Sequence, residues 1–174
     1  LTRYTADYLS WLIDTFPVVN GLIDLTGGQI PNEYRMGAAK SAATSAVANN
    51  TALRMGLATY NPPSGGNLGP GGRIVTNVLD LAPVAKTKYQ TTGVTAGQAT
   101  TNITTLQNGI NGLIPSAYQP VAESYYEVTR YFRGLQPNYN STPTKYTSPI
   151  QYRCQKNYGV VITDGLPTYD RTFP

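Results

Sequence analysis

The sequence predicts an α/β fold, and three observations point there. Segments with apolar residues three or four apart, the spacing of one helix face, recur along the chain. One of them runs directly into a segment of alternating character, the helix-then-strand order of α/β domains. Near the other end, "YGVVIT" at 158–163 is a short continuous apolar run of the kind an inner parallel strand shows. The 174 residues suffice for one domain with a real core and are too few for two comfortable ones.

Taken in order, residues 4–16 carry Leu9, Leu12, Ile13 and Phe16 at helical spacing before Pro17 stops the pattern, which predicts a short amphipathic helix. "VVNGLIDLTGGQIPNEYR" is broken by glycines and a proline and is expected to be loop, with room for one strand. "RMGAAKSAATSAVANN" puts Met36, Ala39, Ala43 and Val47 on one stripe and is rich in alanine, the best helix former. "ALRMGLATYN" then alternates Leu53, Met55, Leu57 and Thr59 against smaller or polar neighbours and closes at Asn61-Pro62-Pro63, a strand. "PPSGGNLGPGGR" is a glycine-rich connection and "RIVTNVLDL" a second strand.

From Thr100 to Ile114 the residues Ile103, Leu106, Ile110 and Leu113 predict another helix. "PVAESYYEVTRYFRG" is the best-marked helix, with a Pro at its first turn and a Gly just past its end. Its inner face is expected to be Val121, Tyr125, Val128 and Phe132. Residues 135–152, rich in Pro and Asn, show no period.

Composition narrows the chemistry. Charged residues are only 13% of the chain, about half the usual share, so Thr, Asn, Ser, Gln and Tyr must cover much of the surface, as is common on exported bacterial proteins. The formal charge is +4, but the basic residues stand singly and form no stripe, which argues against nucleic acid as a partner. With no His and one Cys, zinc sites of the Cys/His type, Ser-His-Asp and Cys-His catalysis, and imidazole base chemistry are excluded. Cys154 is a buried thiol, a free reactive one, or half of a bridge whose partner lies outside this chain. No apolar run reaches eighteen residues, so no membrane span is expected. A start at Leu1 without Met fits a processed or excised segment.

Asp164 closes the 158–163 run and is followed by a Gly-Leu-Pro turn. In open α/β sheets ligands bind beyond the carboxyl ends of the strands, so that position suits a metal ion or phosphate. The structural alternative is a turn in which Asp164 accepts a backbone N–H and Gly165 takes a positive φ. Glu123 and Glu127 lie one turn apart on a helix and are expected to form a solvated face rather than a catalytic pair. The glycine-rich connection lacks a Lys-Ser/Thr after its glycines, and Pro70 removes a backbone donor, so it is a loop and not a phosphate cradle. Sequons at Asn49, Asn102 and Asn140 are what chance gives in a chain so rich in Asn and Thr.

Four blocks resemble one family. "QPVAESYYEVTRYFRG" followed by "SPIQYRCQKNYGVVITDGLPT", and upstream "GGQIPNEYRMGAAKSA" followed by "LRMGLATYN", resemble the N-terminal von Willebrand factor A-like domain of the PilC/PilY proteins of type IV pilus tips. The blocks occur in the family's order and cover Gly27 to Thr168. The resemblance implies a Rossmann-like sheet flanked by helices and a metal-ion-dependent adhesion site at its top, suited to Mg²⁺ or Ca²⁺ because its ligands are carboxylate, hydroxyl and water oxygens. Asp164 matches the family's last ligand. Gln119 stands at the position of a Thr ligand, and the Asp-x-Ser-x-Ser loop of the first strand does not occur.

The domain is therefore expected to be incomplete, with its first strand and C-terminal part outside this chain. Residues 1–26 are expected to be an insertion segment and 27–174 the central part of the domain. The implied function is non-enzymatic: pilus assembly, surface adhesion and twitching motility at the bacterial cell surface, with minor pilins or the tip complex and a host or abiotic surface as partners. An exported scaffold with a degenerate metal site is the alternative. A metal-dependent hydrolase using Asp164 is a third class, for which the sequence supplies no general base or nucleophile.

Overall fold

The computed structural model describes residues 5–15, 18–19, 22–23, 34–86, 93–115, 117–163, 166–167 and 169–174. The chain divides into two compact units, Leu1–Ala38 and Ala39–Pro174. In the first, helix α1 (Ala6–Thr15) precedes a two-stranded antiparallel ribbon of β1 (Val18–Val19) and β2 (Leu22–Ile23). Helix α2 (Tyr34–Asn49) spans the boundary, and its end is tied down by Asn50, whose side-chain amide donates to the Ala46 carbonyl at 2.8 Å.

The second unit mixes helices and strands, as expected, but its sheet is an antiparallel pair. Strands β3 (Arg54–Tyr60) and β4 (Gly72–Asp80) are joined through Ser64-Gly65-Gly66-Asn67. Ser64 and Asn67 exchange both backbone hydrogen bonds at 2.9 Å, and Gly65 and Gly66 both have positive φ, 57° and 82°. Those dihedral signs define a type I′ turn, whose twist matches that of paired strands and which residues with a Cβ rarely adopt. The glycines expected to form a plain loop thus fold the chain back on itself. Met55, Leu57 and Thr59 alternate inward as predicted, whereas Leu53 lies outside the strand and is exposed.

Helix α3 (Ala96–Asn111) begins four residues earlier and ends three earlier than its apolar spacing suggests. Thr95 and Gln98 form a capping box, the Thr95 hydroxyl accepting from the Gln98 N–H and the Gln98 side chain from the Thr95 N–H, and this fixes the start. Thr100, Thr101, Thr104 and Thr105 each donate their hydroxyl to the carbonyl four residues back, so an otherwise weak helix-forming sequence satisfies its polar atoms locally. Leu106 and Ile110 of α3 form the apolar core with Val47 of α2 and Leu81, flanked by Ala43, Met55, Leu57, Leu79 and Ile103.

Helix α4 (Val121–Phe132) ends as predicted at Gly134. Gly134 has a φ of 64°, its N–H donates to the Tyr131 carbonyl, and the Leu135 N–H reaches back to Arg130, the paired bonds of a Schellman closure. Its orientation differs from the expectation. The buried stripe is Glu123, Glu127 and Tyr131, while Tyr125, expected inside, is 56% exposed.

A second expectation fails at 158–163. Residues 158–163 form no strand and do not lie beside β3, and Val160 is 87% exposed. β3 pairs with β4 instead, a partner brought back beside it by the two-glycine turn, so the helix-then-strand order does not here signal a parallel sheet. Among the described residues, no helix is long and apolar enough to cross a membrane.

Candidate functional site

The polar centre of the second unit is built on one face of α4. Positions 123, 127 and 131 lie one turn apart, so a single face presents two carboxylates and a phenol. Both Glu123 and Glu127 are 0% exposed. A carboxylate so placed must have its charge met by hydrogen bonds, and for Glu127 the irregular segment after the helix supplies them. Oε2 accepts from the backbone N–H of Asn138 at 2.9 Å and of Tyr139 at 3.3 Å, and Oε1 from the Tyr146 hydroxyl at 2.6 Å and the Asn140 amide at 3.1 Å. Four donors fill the four lone-pair sites of one carboxylate.

Glu123 Oε1 accepts from the Thr172 N–H at 2.6 Å, whereas its Oε2 is buried with no hydrogen-bond partner. Asp170 comes from the same end segment to the start of α4. Pro120 precedes the first helical residue and offers no side-chain cap, and the Asp170 carboxylate takes that place, accepting from the N–H groups of Ala122 at 3.1 Å and Glu123 at 3.0 Å. An acid at a helix N-terminus is favoured by the helix dipole as well as by the two bonds. The Tyr139 hydroxyl completes the tie by donating to the Thr172 carbonyl at 3.1 Å, and Phe173 packs edge-on against Tyr126.

Asn61 couples this cluster to the hairpin. Its amide donates to the Pro70 carbonyl at 3.0 Å and to Asn140 Oδ1 at 3.1 Å, and Asn140 in turn donates to the Gly72 carbonyl at 2.8 Å. Tyr131 accepts from the Val78 N–H of β4 at 2.9 Å and stacks edge-on with Tyr146 at 5.5 Å. The phenols register their surroundings. Burial, and then the charges of Glu123 and Glu127, push the Tyr139 hydroxyl from 10.0 up to about 12. Burial raises Tyr146 as well, reinforced by the hydrogen bond it gives Glu127. Tyr131 is raised by burial against the lowering effect of the Val78 N–H.

Glu123 and Glu127 are thus not the solvated face the sequence suggested, because donors from segments with no periodicity of their own fold over them. Asp164 lies outside the described residues. Gln119 is half-buried immediately before Pro120 and α4, and Cys154 is an exposed free thiol.

These residues do not make up a cation site among the described residues. No group of three His, Cys, Asp or Glu side chains comes together there. Of the carboxylates around α4, Glu127 is saturated and Asp170 is committed to the helix start, which leaves one unpartnered oxygen, Glu123 Oε2. A hard divalent cation takes six or more oxygens. What the arrangement does chemically is tie, since its bonds join α4, the β3–β4 hairpin, 138–146 and 170–172 to one another. No family model, curated protein or solved structure matches this chain.

Proposed function

We propose that the chain is part of a type IV pilus tip-associated protein of the PilC/PilY kind, acting without catalysis in pilus assembly, surface adhesion and twitching motility. The observation that carries this reading is the order of the four sequence blocks between Gly27 and Thr168. In keeping with it, the first two blocks in chain order hold a helix and then a strand, α2 and β3, and the helix of the third block closes at Gly134. The bonding of Glu127 and Asp170 favours a binding or mechanical role. Carboxylates whose lone pairs are occupied by backbone donors are poorly placed to act as a general base. In this reading the chain acts at the bacterial cell surface, with minor pilins or the tip complex and a host or abiotic surface as partners.

The Rossmann-like sheet and its metal ion belong to the same proposal. In it Asp164 and Gln119 would contribute ligands for Mg²⁺ or Ca²⁺. A second reading, an exported scaffold with a degenerate metal site, is favoured by Gln119 at the place of a Thr, a longer and more flexible donor and a poorer helix cap.

Binding of the purified protein to a reconstituted minor-pilin complex tests the reading. Saturable binding is expected, and no binding at micromolar concentrations overturns it. Thermal melts of the full protein with Mg²⁺ or Ca²⁺ separate the two versions, since a ligand selective for the native state raises its stability. A rise in Tm that Asp164→Ala abolishes supports the adhesion site, and no rise supports the degenerate scaffold.

A further inference from the structure

We propose that residues 158–162 are a strand edge through which two copies of this chain pair antiparallel, with Val160 on the two-fold axis. Three β-branched residues in succession, Val160, Val161 and Ile162, are stiff at χ1 and suit a pleated strand. Among the described residues, none of the backbone N–H or C=O groups of 158–162 bonds another backbone group. Tyr158, Val160, Val161 and Ile162 are all exposed, Tyr158 at 77%. Tyr125 extends the patch, for a Cβ at Gly159 would stand 3.6 Å from its ring. Monomers rarely show water so continuous an apolar surface, and unpaired strand backbone is a template for a second strand.

What singles out a second copy is that the sequence is complementary to itself about Val160. Alternation puts Tyr158, Val160 and Ile162 on one face. With Val160 opposite the partner's Val160, Tyr158 meets the partner's Ile162, an aromatic against a β-branched side chain, which is a favoured cross-strand pair. Four residues to either side the sequence carries Lys156 and Asp164, so the same register sets opposite charges against each other at both ends. Moving the axis to Val161 sets Lys156 against Leu166, and moving it to Gly159 sets Lys156 against Ile162. A parallel in-register pair sets lysine against lysine. A strand has two hydrogen-bonding edges and this pairing uses one, so the proposal stands apart from the pilus-tip reading. An interface of five residues a side belongs to the small, weak class and should respond to concentration.

Sedimentation equilibrium of the 174-residue chain from low to high micromolar concentration tests it. The expected result is an average mass that climbs from one chain toward two and no further. Val160→Lys, at an exposed position where folding is not at stake, is expected to hold the mass at one chain throughout with an unchanged circular dichroism spectrum and melting temperature. Lys156→Asp is expected to weaken association at least tenfold, and the exchange Lys156→Asp with Asp164→Lys to restore it. A chain monomeric at all concentrations, growth beyond two, or a dimer indifferent to Val160→Lys would each overturn the proposal.

Discussion

Helix α4 and the segment 158–162 place their side chains the opposite way round from what polarity suggests. The helix buries two glutamates completely and leaves Tyr125 half in water, while the segment exposes Val160 and Ile162. The difference lies in where hydrogen-bond partners are. Glu127 receives two backbone N–H groups, an amide and a phenol from 138–146, enough to replace the water it gives up. For 158–162 no second strand is at hand among the described residues, and a lone strand with nothing to pair with gains little from its apolar side chains.

The contrast ranks the consequences of mutation. Glu127→Ala strands four donors and opens a cavity, and is expected to cost more than about 3 kcal/mol in urea unfolding at neutral pH. If it costs less than about 1 kcal/mol, the carboxylate is not the tie described. Tyr146→Phe removes one of those donors and should cost about 1.5–3 kcal/mol, the range for a hydrogen bond to a charged group. Asp170→Ala deprives α4 of its borrowed cap at a half-buried position, for about 1 kcal/mol. Val160→Ser, measured where the chain is dilute, should stay within about 0.5 kcal/mol of the parent. A large loss there would mean that Val160 packs against the fold after all.

Alkaline pH probes the same cluster without mutation. The folded state holds Tyr139, and likewise Tyr146, above the ordinary value of 10.0. Between that value and the folded one, about 12 for Tyr139, the unfolded chain releases phenolic protons that the folded chain keeps. The stability these phenols contribute is therefore fully present below about pH 10 and is lost as pH rises toward 12. Urea midpoints over that range should fall, and fall less steeply in Tyr139→Phe.

Much of the framework was legible in the sequence, because helix faces and caps are local. The spacing of Ile103, Leu106 and Ile110 placed α3, and the Gly134 closure placed the end of α4. The start of α3 was legible too, in Thr95-x-x-Gln98, but lies outside the apolar period. Ser64-Gly65-Gly66-Asn67 between two strand-like runs was the signal for the β3–β4 hairpin. What could not be seen was the inward face of α4, since its partners lie in 138–146 and 170–172, segments with no pattern, and backbone donors leave no mark in a sequence. The only hint was two glutamates one turn apart on an otherwise aromatic helix in a chain with few charges. The apolar run at 158–163 misled for the converse reason, because composition reports a preference for pairing and not the presence of a partner.

Amide hydrogen exchange at Asn138, Tyr139 and Thr172 tests the buried-carboxylate account most directly. In the parent chain all three N–H groups should be protected, although all lie outside helices and strands. In Glu127→Ala, Asn138 and Tyr139 should exchange freely while Thr172, held by Glu123, stays protected. Free exchange at all three in the parent chain would show that the glutamates of α4 are not held by these segments, and the account would fail.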